Sequence, residues 1–273
     1  MERRVCRPTR PYTVWIVVCA LLLLGCLGMA LWETRDHRAG GEAYGALAVK
    51  AVTVRAQQVV TLSTQAEEAP AAGTAETEAA PQPEQAPIAV DFSALEAVDG
   101  TVAGWLYGEG TALNYPVVAG TDNAYYLNHL PDGTRNACGT LFVDCENAPD
   151  FSDRNTVIHG HHMKNGSMFG ALERYREQSY YEAHPRLYLL TEAGDYRLDL
   201  VAGYTTRAGG EGYEKRFADE AAFLAFVERA RAQSDFAAPV IVSAGDRLVT
   251  LSTCAYAFAN ARYILLARLV PLF

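Results

Sequence analysis

Residues 249–262, VTLSTCAYAFANAR, carry a thiol and a guanidinium at the facing ends of two apolar runs. The β-branched run ends at Cys254, and Arg262 begins the next run after a stretch of small residues. If the two runs pair as a hairpin, Cys254 and Arg262 become neighbours at one edge of the sheet. A thiolate is a strong nucleophile, and a nearby guanidinium favours that anion and donates hydrogen bonds to an oxyanion. The pair therefore predicts nucleophilic chemistry on a carbonyl group.

A cysteine nucleophile also needs an acid/base group to protonate the leaving amine, and histidine usually serves. His159, His161 and His162 cluster in TVIHGHHMKNGSMFG, residues 156–170, where a β-branched run passes into a polar loop. No carboxylate or cysteine flanks the cluster at ligand spacing, so we predict neither a metal nor another cofactor. We expect His159 to fill a strand position, because neighbouring side chains on a strand point to opposite faces.

Alternate residues of a strand face the same side, so Ser252 shares a face with Cys254. We predict that Ser252 supports the nucleophile by hydrogen bonding, with Thr253 beside it. Each residue also has an ordinary structural explanation, since a cysteine at a strand end is often a small buried hydrophobe. The combination of thiol, imidazole and guanidinium favours catalysis over these explanations.

Short runs rich in Val, Leu, Tyr and Thr alternate with turn residues from residue 104 onward. This rhythm predicts an antiparallel β-sandwich or β-barrel. A helix is predicted at 217–234, with Phe217, Ala221, Leu224 and Val227 on its buried stripe. A shorter helix is predicted at 91–99. The predicted strands are 104–107, 115–118, 140–144, 156–159, 186–191, 196–204, 248–254 and 262–270.

Residues 12–32 contain no charge and are long enough to cross a bilayer as a helix, which takes about 20 residues. Residues 1–11 are basic, so the positive-inside rule places this stub in the cytoplasm and the rest of the chain outside. We favour a transmembrane signal-anchor over a cleaved signal peptide, because the apolar core is longer than the usual range of roughly 7–15 residues.

Three segments follow the anchor. Residues 33–64 are a juxtamembrane segment that we predict to be helical, although its Val and Thr content leaves a strand open. Residues 65–90 are rich in Ala, Pro and Glu and lack aromatic and basic residues, so we expect a flexible tether. Residues 91–273 form the predicted catalytic domain.

Charge and cysteine content narrow the partners and the redox chemistry. The formal net charge is −9, which argues against nucleic acid as a partner because phosphate binding needs a basic surface. Cys138, Cys145 and Cys254 are the cysteines of the predicted outer domain. An odd number leaves at least one thiol unpaired, and pairing of Cys138 with Cys145 stays open.

TLSTC, the arginine that follows it eight residues later, and the upstream GHHMKNGSMFG together resemble class B sortases. The resemblance extends through GWLY, NYPVV, DNAYYLNH and DFSDRNTVIHGHHMKNGSMFGAL, and it covers most of residues 91–270. It implies a mainly β (α+β) fold, an eight-stranded β-barrel of the sortase type. N-terminal helices, one helix before the last two strands and an N-terminal transmembrane helix complete the expected architecture.

The resemblance also implies a cysteine transpeptidase of the cell membrane of mostly Gram-positive bacteria, with an extracellular catalytic domain. By the family's pattern Cys254 attacks the Thr carbonyl of a C-terminal sorting motif in a secreted protein and forms a thioacyl-enzyme. His161 is then the general acid/base, and Arg262 orients the motif and stabilises the oxyanion. Asn128 and His162 are predicted substrate-groove residues, and we expect His162 to be dispensable.

The acceptor stays open at this point. The expected acceptor is an amine of the peptidoglycan precursor, the crossbridge of lipid II. The alternatives are a lysine of a pilin subunit, which would make a pilin-polymerising enzyme, and water, which would make a hydrolytic cysteine peptidase. A membrane-tethered binding module with an inert Cys254 is the non-enzymatic alternative.

Overall fold

The computed structural model describes residues 11–55, 84–95, 101–255 and 257–272. Its first element is a continuous helix, α1, Pro11–Ala51, which contains the whole of the predicted anchor, residues 12–32. Within these ranges α1 is the one helix long and apolar enough to cross a membrane. Most of the basic stub lies outside the described residues.

The second half of α1 packs against the folded domain. Tyr44 and Ala51 are buried there, whereas the described side chains of the first half are exposed. The Tyr44 hydroxyl donates a hydrogen bond to the carbonyl oxygen of Gly139. The carboxylate of Asp36 accepts the backbone N–H of Ala137 at 2.8 Å. The helical part of the juxtamembrane segment, residues 33–51, therefore packs on the folded domain.

A two-stranded antiparallel sheet begins directly after α1. Strand β1, Val52–Val54, pairs antiparallel with β2, Ile88–Val90. The sequence analysis allowed a strand within residues 33–64, and β1 is a strand in that segment. Close by, Glu84 forms an ion pair with Arg186 at 3.1 Å. The structure thus differs from the prediction at residues 84–90, where the expected tether is already packed on the domain. Apolar contacts of β2 explain the difference, because Ile88 is buried. Residues 56–83 lie outside the described residues.

Eight strands close into a barrel, which confirms the predicted fold class. Every one of the eight predicted strands corresponds to one of them, with ends that differ by at most three residues. The strands are β3 Thr101–Tyr107, β4 Asn114–Ala119, β5 Leu141–Val143, β6 Asn155–His159, β7 Arg186–Thr191, β8 Gly194–Arg207, β9 Arg247–Cys254 and β10 Ala261–Pro271.

The order around the barrel is β10-β8-β7-β3-β4-β5-β6-β9. Most neighbours are antiparallel, as predicted, but β4 with β5 and β6 with β9 are parallel. Parallel neighbours need long crossovers, and the chain between β6 and β9 includes two strands and two α-helices. Because β6 and β9 run in the same direction, the residues that follow both strands emerge at the same mouth of the barrel.

The remaining helices are short and pack against different hydrophobic clusters. They comprise α2 Gln178–Ala183, α3 Glu220–Gln233 and 3₁₀ segments at Phe92–Leu95, Tyr125–Leu127 and Phe169–Arg176. Helix α3 lies outside the barrel, whereas α2 and the third 3₁₀ segment contact the cluster that includes the barrel interior. The first 3₁₀ segment begins the short helix predicted at 91–99, of which residues 96–99 lie outside the described residues.

Helix α3 forms where the sequence predicts it, but its buried stripe differs. Phe223, Phe226, Val227 and Ala230 are buried, whereas Leu224 is 36% exposed. Asp219 caps the helix by accepting the N–H of Ala222, so Phe217 lies before the helix and does not belong to its buried stripe.

The two faces of β9 have different surroundings. Val249 and Leu251 belong to the core inside the barrel. Leu248 belongs to the cluster outside the barrel that includes α3. By strand alternation, Ser252 and Cys254 also face outward, beneath the segment that joins β8 to α3.

Candidate active site

The hairpin of β9 and β10 brings the predicted nucleophile and guanidinium together. Cys254 is the last residue of β9, and Arg262 lies directly opposite it in the register with β10. Both side chains are partly exposed. The Arg262 guanidinium donates one hydrogen bond, at 3.0 Å, to the carbonyl oxygen of Ala261. A guanidinium has five N–H donors, so this bond does not exhaust its capacity to bind an oxyanion.

The predicted acid/base reaches the same mouth through the parallel pairing of β6 and β9. His159 lies opposite Ser252, and the backbone N–H of Gly160 donates to the Ser252 carbonyl at 3.1 Å. A Cβ at Gly160 would come within 2.6 Å of the Phe169 ring, so this close passage requires glycine. His161 then leaves the sheet, and its Nε2 donates to the carbonyl oxygen of Leu127.

A pocket of about 340 Å³ opens at this mouth. Of the predicted residues, Cys254, His161, Arg262, Ser252 and Thr253 line it. Five polar residues that the sequence analysis did not assign to the site also line it: Asn123, Asp144, His159, Tyr213 and Lys215.

Ser252 has a hydrogen-bond partner that the sequence did not reveal. Its hydroxyl lies 2.5 Å from the phenol oxygen of Tyr213, on the segment between β8 and α3. Burial raises the pKa of Tyr213, although the hydrogen bond to Ser252 and the charge of Arg262 oppose that shift. Tyr213 therefore stays a neutral phenol. It connects the loop above the pocket to the strand that carries Cys254.

Thr253 does not share this arrangement. Its hydroxyl is buried and has no hydrogen-bond partner among the described residues. Strand alternation directs it toward the barrel interior, away from the face of Ser252 and Cys254. The predicted supporting role of this hydroxyl therefore finds no contact in the structure.

A buried carboxylate organises one wall of the pocket. The side chain of Asp144 is 6% exposed and accepts hydrogen bonds from His159 Nε2 at 2.9 Å, Lys215 Nζ at 2.6 Å and Asn123 Nδ2 at 3.0 Å. Burial alone would raise the pKa of Asp144, but the bonds from His159 and Lys215 outweigh it and hold the pKa below its usual range. The expectation that His159 only fills a strand position is therefore wrong, since its ring contributes to this wall.

The two predicted groove residues lie elsewhere. Asn128 is exposed and follows the 3₁₀ turn Tyr125–Leu127, which presents Leu127 to the pocket instead. The side chain of His162 is only 9% exposed and does not line the pocket. Its Nδ1 donates to the backbone carbonyl of Cys254 at 2.9 Å.

One sequence signal could have revealed the carboxylate wall. Asp144 ends the predicted strand 140–144, as Cys254 ends the strand 248–254, so both are polar residues at strand ends. Lys215 and Tyr213 lack such a signal, because they belong to a connection without regular structure.

Metal ligands and disulfides do not contribute to the described site. In the part of the chain that the structure describes, no three His, Cys, Asp or Glu side chains are grouped as metal ligands. Cys138 is buried and Cys145 is exposed, and both are free thiols.

Comparison with known proteins points to one family. The Sortase domain model matches residues 107–270. Sortase B of Listeria monocytogenes is 34% identical over 160 residues, which are 59% of this chain and 65% of that protein. Sortase B of Staphylococcus aureus is 32% identical over 181 residues, which are 66% of this chain and 74% of that protein.

Solved structures agree with the sequence relatives. The Staphylococcus aureus sortase B–substrate complex matches with a TM-score of 0.62 and 31% identity, covering 66% of this chain and 84% of that chain. The fold, the pocket and these matches define a cysteine transpeptidase of class B. The chain belongs to the sortase family.

Proposed function

We propose that this protein cleaves a C-terminal sorting motif of secreted proteins and transfers them to an amine of the cell-wall precursor. The observation that supports this most directly is the convergence of Cys254, His161 and Arg262 on one pocket. The solved complex of the Staphylococcus aureus relative contains a substrate, and we extend peptide binding to this chain.

The reaction proceeds in two steps. The thiolate of Cys254 attacks the carbonyl carbon of the motif's Thr, and the tetrahedral intermediate collapses to a thioester as the peptide amine leaves. His161 protonates that leaving amine. In the second step the acceptor amine attacks the thioester, His161 takes its proton, and the Cys254 sulfur leaves.

The hydrogen bonds in the pocket support separate tasks for His161 and Arg262 in this proposal. With Nε2 of His161 donating to Leu127, Nδ1 of a neutral ring is the nitrogen that exchanges protons with sulfur and amine. The Arg262 guanidinium, opposite Cys254 in the sheet, stabilises the negative oxygen in both tetrahedral intermediates.

We further propose that α1 anchors the enzyme in the cell membrane, with its N-terminus in the cytoplasm and the barrel outside. An exposed, uncharged first half of α1 and a packed second half support this arrangement. The catalytic domain then extends upstream of residue 91 to include the packed half of α1.

Acylation of Cys254 is the decisive test. The full chain in detergent is incubated with a library of Thr-containing motif peptides, and the adduct is located by mass spectrometry. We expect a thioester on Cys254, none in Cys254→Ala, and almost none in His161→Ala. The matched control is Cys145→Ala, which removes an exposed thiol and leaves the adduct unchanged. A chain that never acylates Cys254 with any peptide is not a transpeptidase.

A second assay identifies the acceptor. The acyl-enzyme is offered a crossbridge peptide, a pilin domain with an accessible lysine, or buffer alone. We expect the crossbridge amide as the main product. Release at the same rate in all three reactions, with free carboxylate as the product, would instead establish a hydrolytic peptidase.

A further inference from the structure

The side chain of His162 makes a hydrogen bond that a backbone N–H would make if the pairing of β6 and β9 continued. The last backbone bond between β6 and β9 joins the Gly160 N–H to the Ser252 carbonyl. Bonds of this direction recur every two residues along a parallel pair, so the next would join the His162 N–H to the Cys254 carbonyl. The structure has the His162 side chain there instead, with Nδ1 2.9 Å from that carbonyl oxygen. A carbonyl only accepts, so Nδ1 carries the proton and donates.

Other contacts hold the same side chain from different directions. Nε2 of His162 lies 3.6 Å from a carboxylate oxygen of Glu173, in the 3₁₀ segment Phe169–Arg176. The backbone of His162 forms an isolated antiparallel bridge with Met168. Because the side chain is only 9% exposed, water has little access to replace a lost bond.

The far end of the loop is held independently. Met168, which has a positive φ of 51°, donates its N–H to the hydroxyl of Tyr115 at 3.1 Å. The N–H of Phe169 donates to the His161 carbonyl at 2.9 Å. The Phe169 bond also holds His161, so loss of the His162 bond would leave the loop attached to Tyr115 and Phe169 while removing the bond that joins it to the Cys254 backbone.

Contrary to the expectation from the sequence that His162 is dispensable, we propose that it is a positioning residue whose Nδ1–H···O bond to Cys254 sets the separation between the His161 ring and the Cys254 thiol. This rests on the proposed function, in which these two residues are the acid/base and the nucleophile. His161 is the adjacent residue in the chain, and Cys254 itself provides the acceptor, so one bond couples both backbones. A misplacement of about 1 Å between reacting groups can cost on the order of 100-fold in rate.

Replacing His162 by Asn, Gln or Ala distinguishes the effect of the hydrogen bond to Cys254 from the effect of the volume of the imidazole ring. The amide nitrogen of Asn is attached to Cγ, as Nδ1 is in His, whereas that of Gln lies one bond farther out, near the position of Nε2. We expect His162→Asn to keep kcat within about threefold of wild type, and His162→Gln and His162→Ala to lower kcat roughly 10- to 100-fold. KM changes little, since the side chain does not line the pocket.

His184→Ala is the matched control. Its Nδ1 also contacts a backbone carbonyl, that of Glu109 at 3.0 Å, but outside the pocket. We expect a kcat within roughly twofold of wild type. All variants are made in the full chain, and a thermal melt of each verifies that it is folded at the assay temperature.

The outcomes are distinct. Wild-type kcat in a folded His162→Gln or His162→Ala overturns the inference and leaves the proposed function intact. If those two variants unfold, His162→Asn decides, because a folded Asn variant with a kcat 10-fold or more below wild type also overturns it. Failure of the wild type to acylate Cys254 instead removes the proposed function, and the inference with it.

Discussion

Asp144→Asn is expected to destabilise the protein by about 3 kcal/mol, because two part-buried donors lose their acceptor at a buried position. One carboxylate oxygen accepts from Lys215 Nζ at 2.6 Å and from the Glu146 N–H at 3.0 Å. The other accepts from His159 Nε2 at 2.9 Å and from Asn123 Nδ2 at 3.0 Å. An amide replaces one of these oxygens by an NH₂ group, so two donors face a donor whichever way the amide is oriented.

The destabilisation has a defined pH dependence. The folded protein lowers the pKa of Asp144 below its usual value, so the ionised form is favoured by folding. Its contribution is fully present above the unfolded pKa of about 3.9, and it is lost as the pH falls through the lower folded pKa. The difference in stability between wild type and Asp144→Asn should be constant near neutral pH and should shrink below about pH 4.

Urea unfolding of the full chain in detergent, followed by near-UV circular dichroism, measures both effects. The control is Asp219→Asn, the same substitution at the cap of α3, where one acceptor oxygen suffices for the bond to Ala222. That variant should lose less than about 0.5 kcal/mol, because Asn and Asp are equally good caps. Equal losses in the two variants, or a loss for Asp144→Asn that persists unchanged at low pH, would refute the reasoning.

Two further predictions concern the anchor helix and the oxyanion. A chain of residues 91–273 should melt roughly 10 °C or more below a chain of residues 33–273, since it lacks the buried Tyr44 and Ile88. Equal melting temperatures by circular dichroism would show that the packed half of α1 adds nothing to the stability of the domain. Arg262→Lys should lower kcat/KM about 100-fold in the peptide assay, because a point charge does not reproduce a planar set of donors; full activity would remove Arg262 from the mechanism.

Much of the site could be predicted because its parts are encoded locally. Alternation along 248–254 indicates a strand and places Ser252 and Cys254 on one face. The short connection to Arg262 makes a hairpin, and a hairpin sets the neighbours across it. Neither inference needs information from a distant part of the chain.

The environment of these residues could not be predicted in the same way. The Asp144 carboxylate and the Lys215 ammonium are 71 positions apart in the chain, and no periodicity relates them. Burial of His162 follows from the parallel pairing of β6 with β9, and two strands and two α-helices intervene between those strands. The packing of α1 depends likewise on a surface near Gly139, far along the chain.

The amino-acid sequence alone determined the number of barrel strands, the apolar helix at the N-terminus and the adjacency of Cys254 and Arg262. These features follow from side-chain periodicity and short chain connections, which act over a few residues. Only the tertiary structure decided which distant groups surround the thiol: the carboxylate wall, the Tyr213 phenol and the imidazole of His162. Closure of the barrel joins strands that are remote in the chain, and hydrogen bonds between buried groups then select their partners by distance in space.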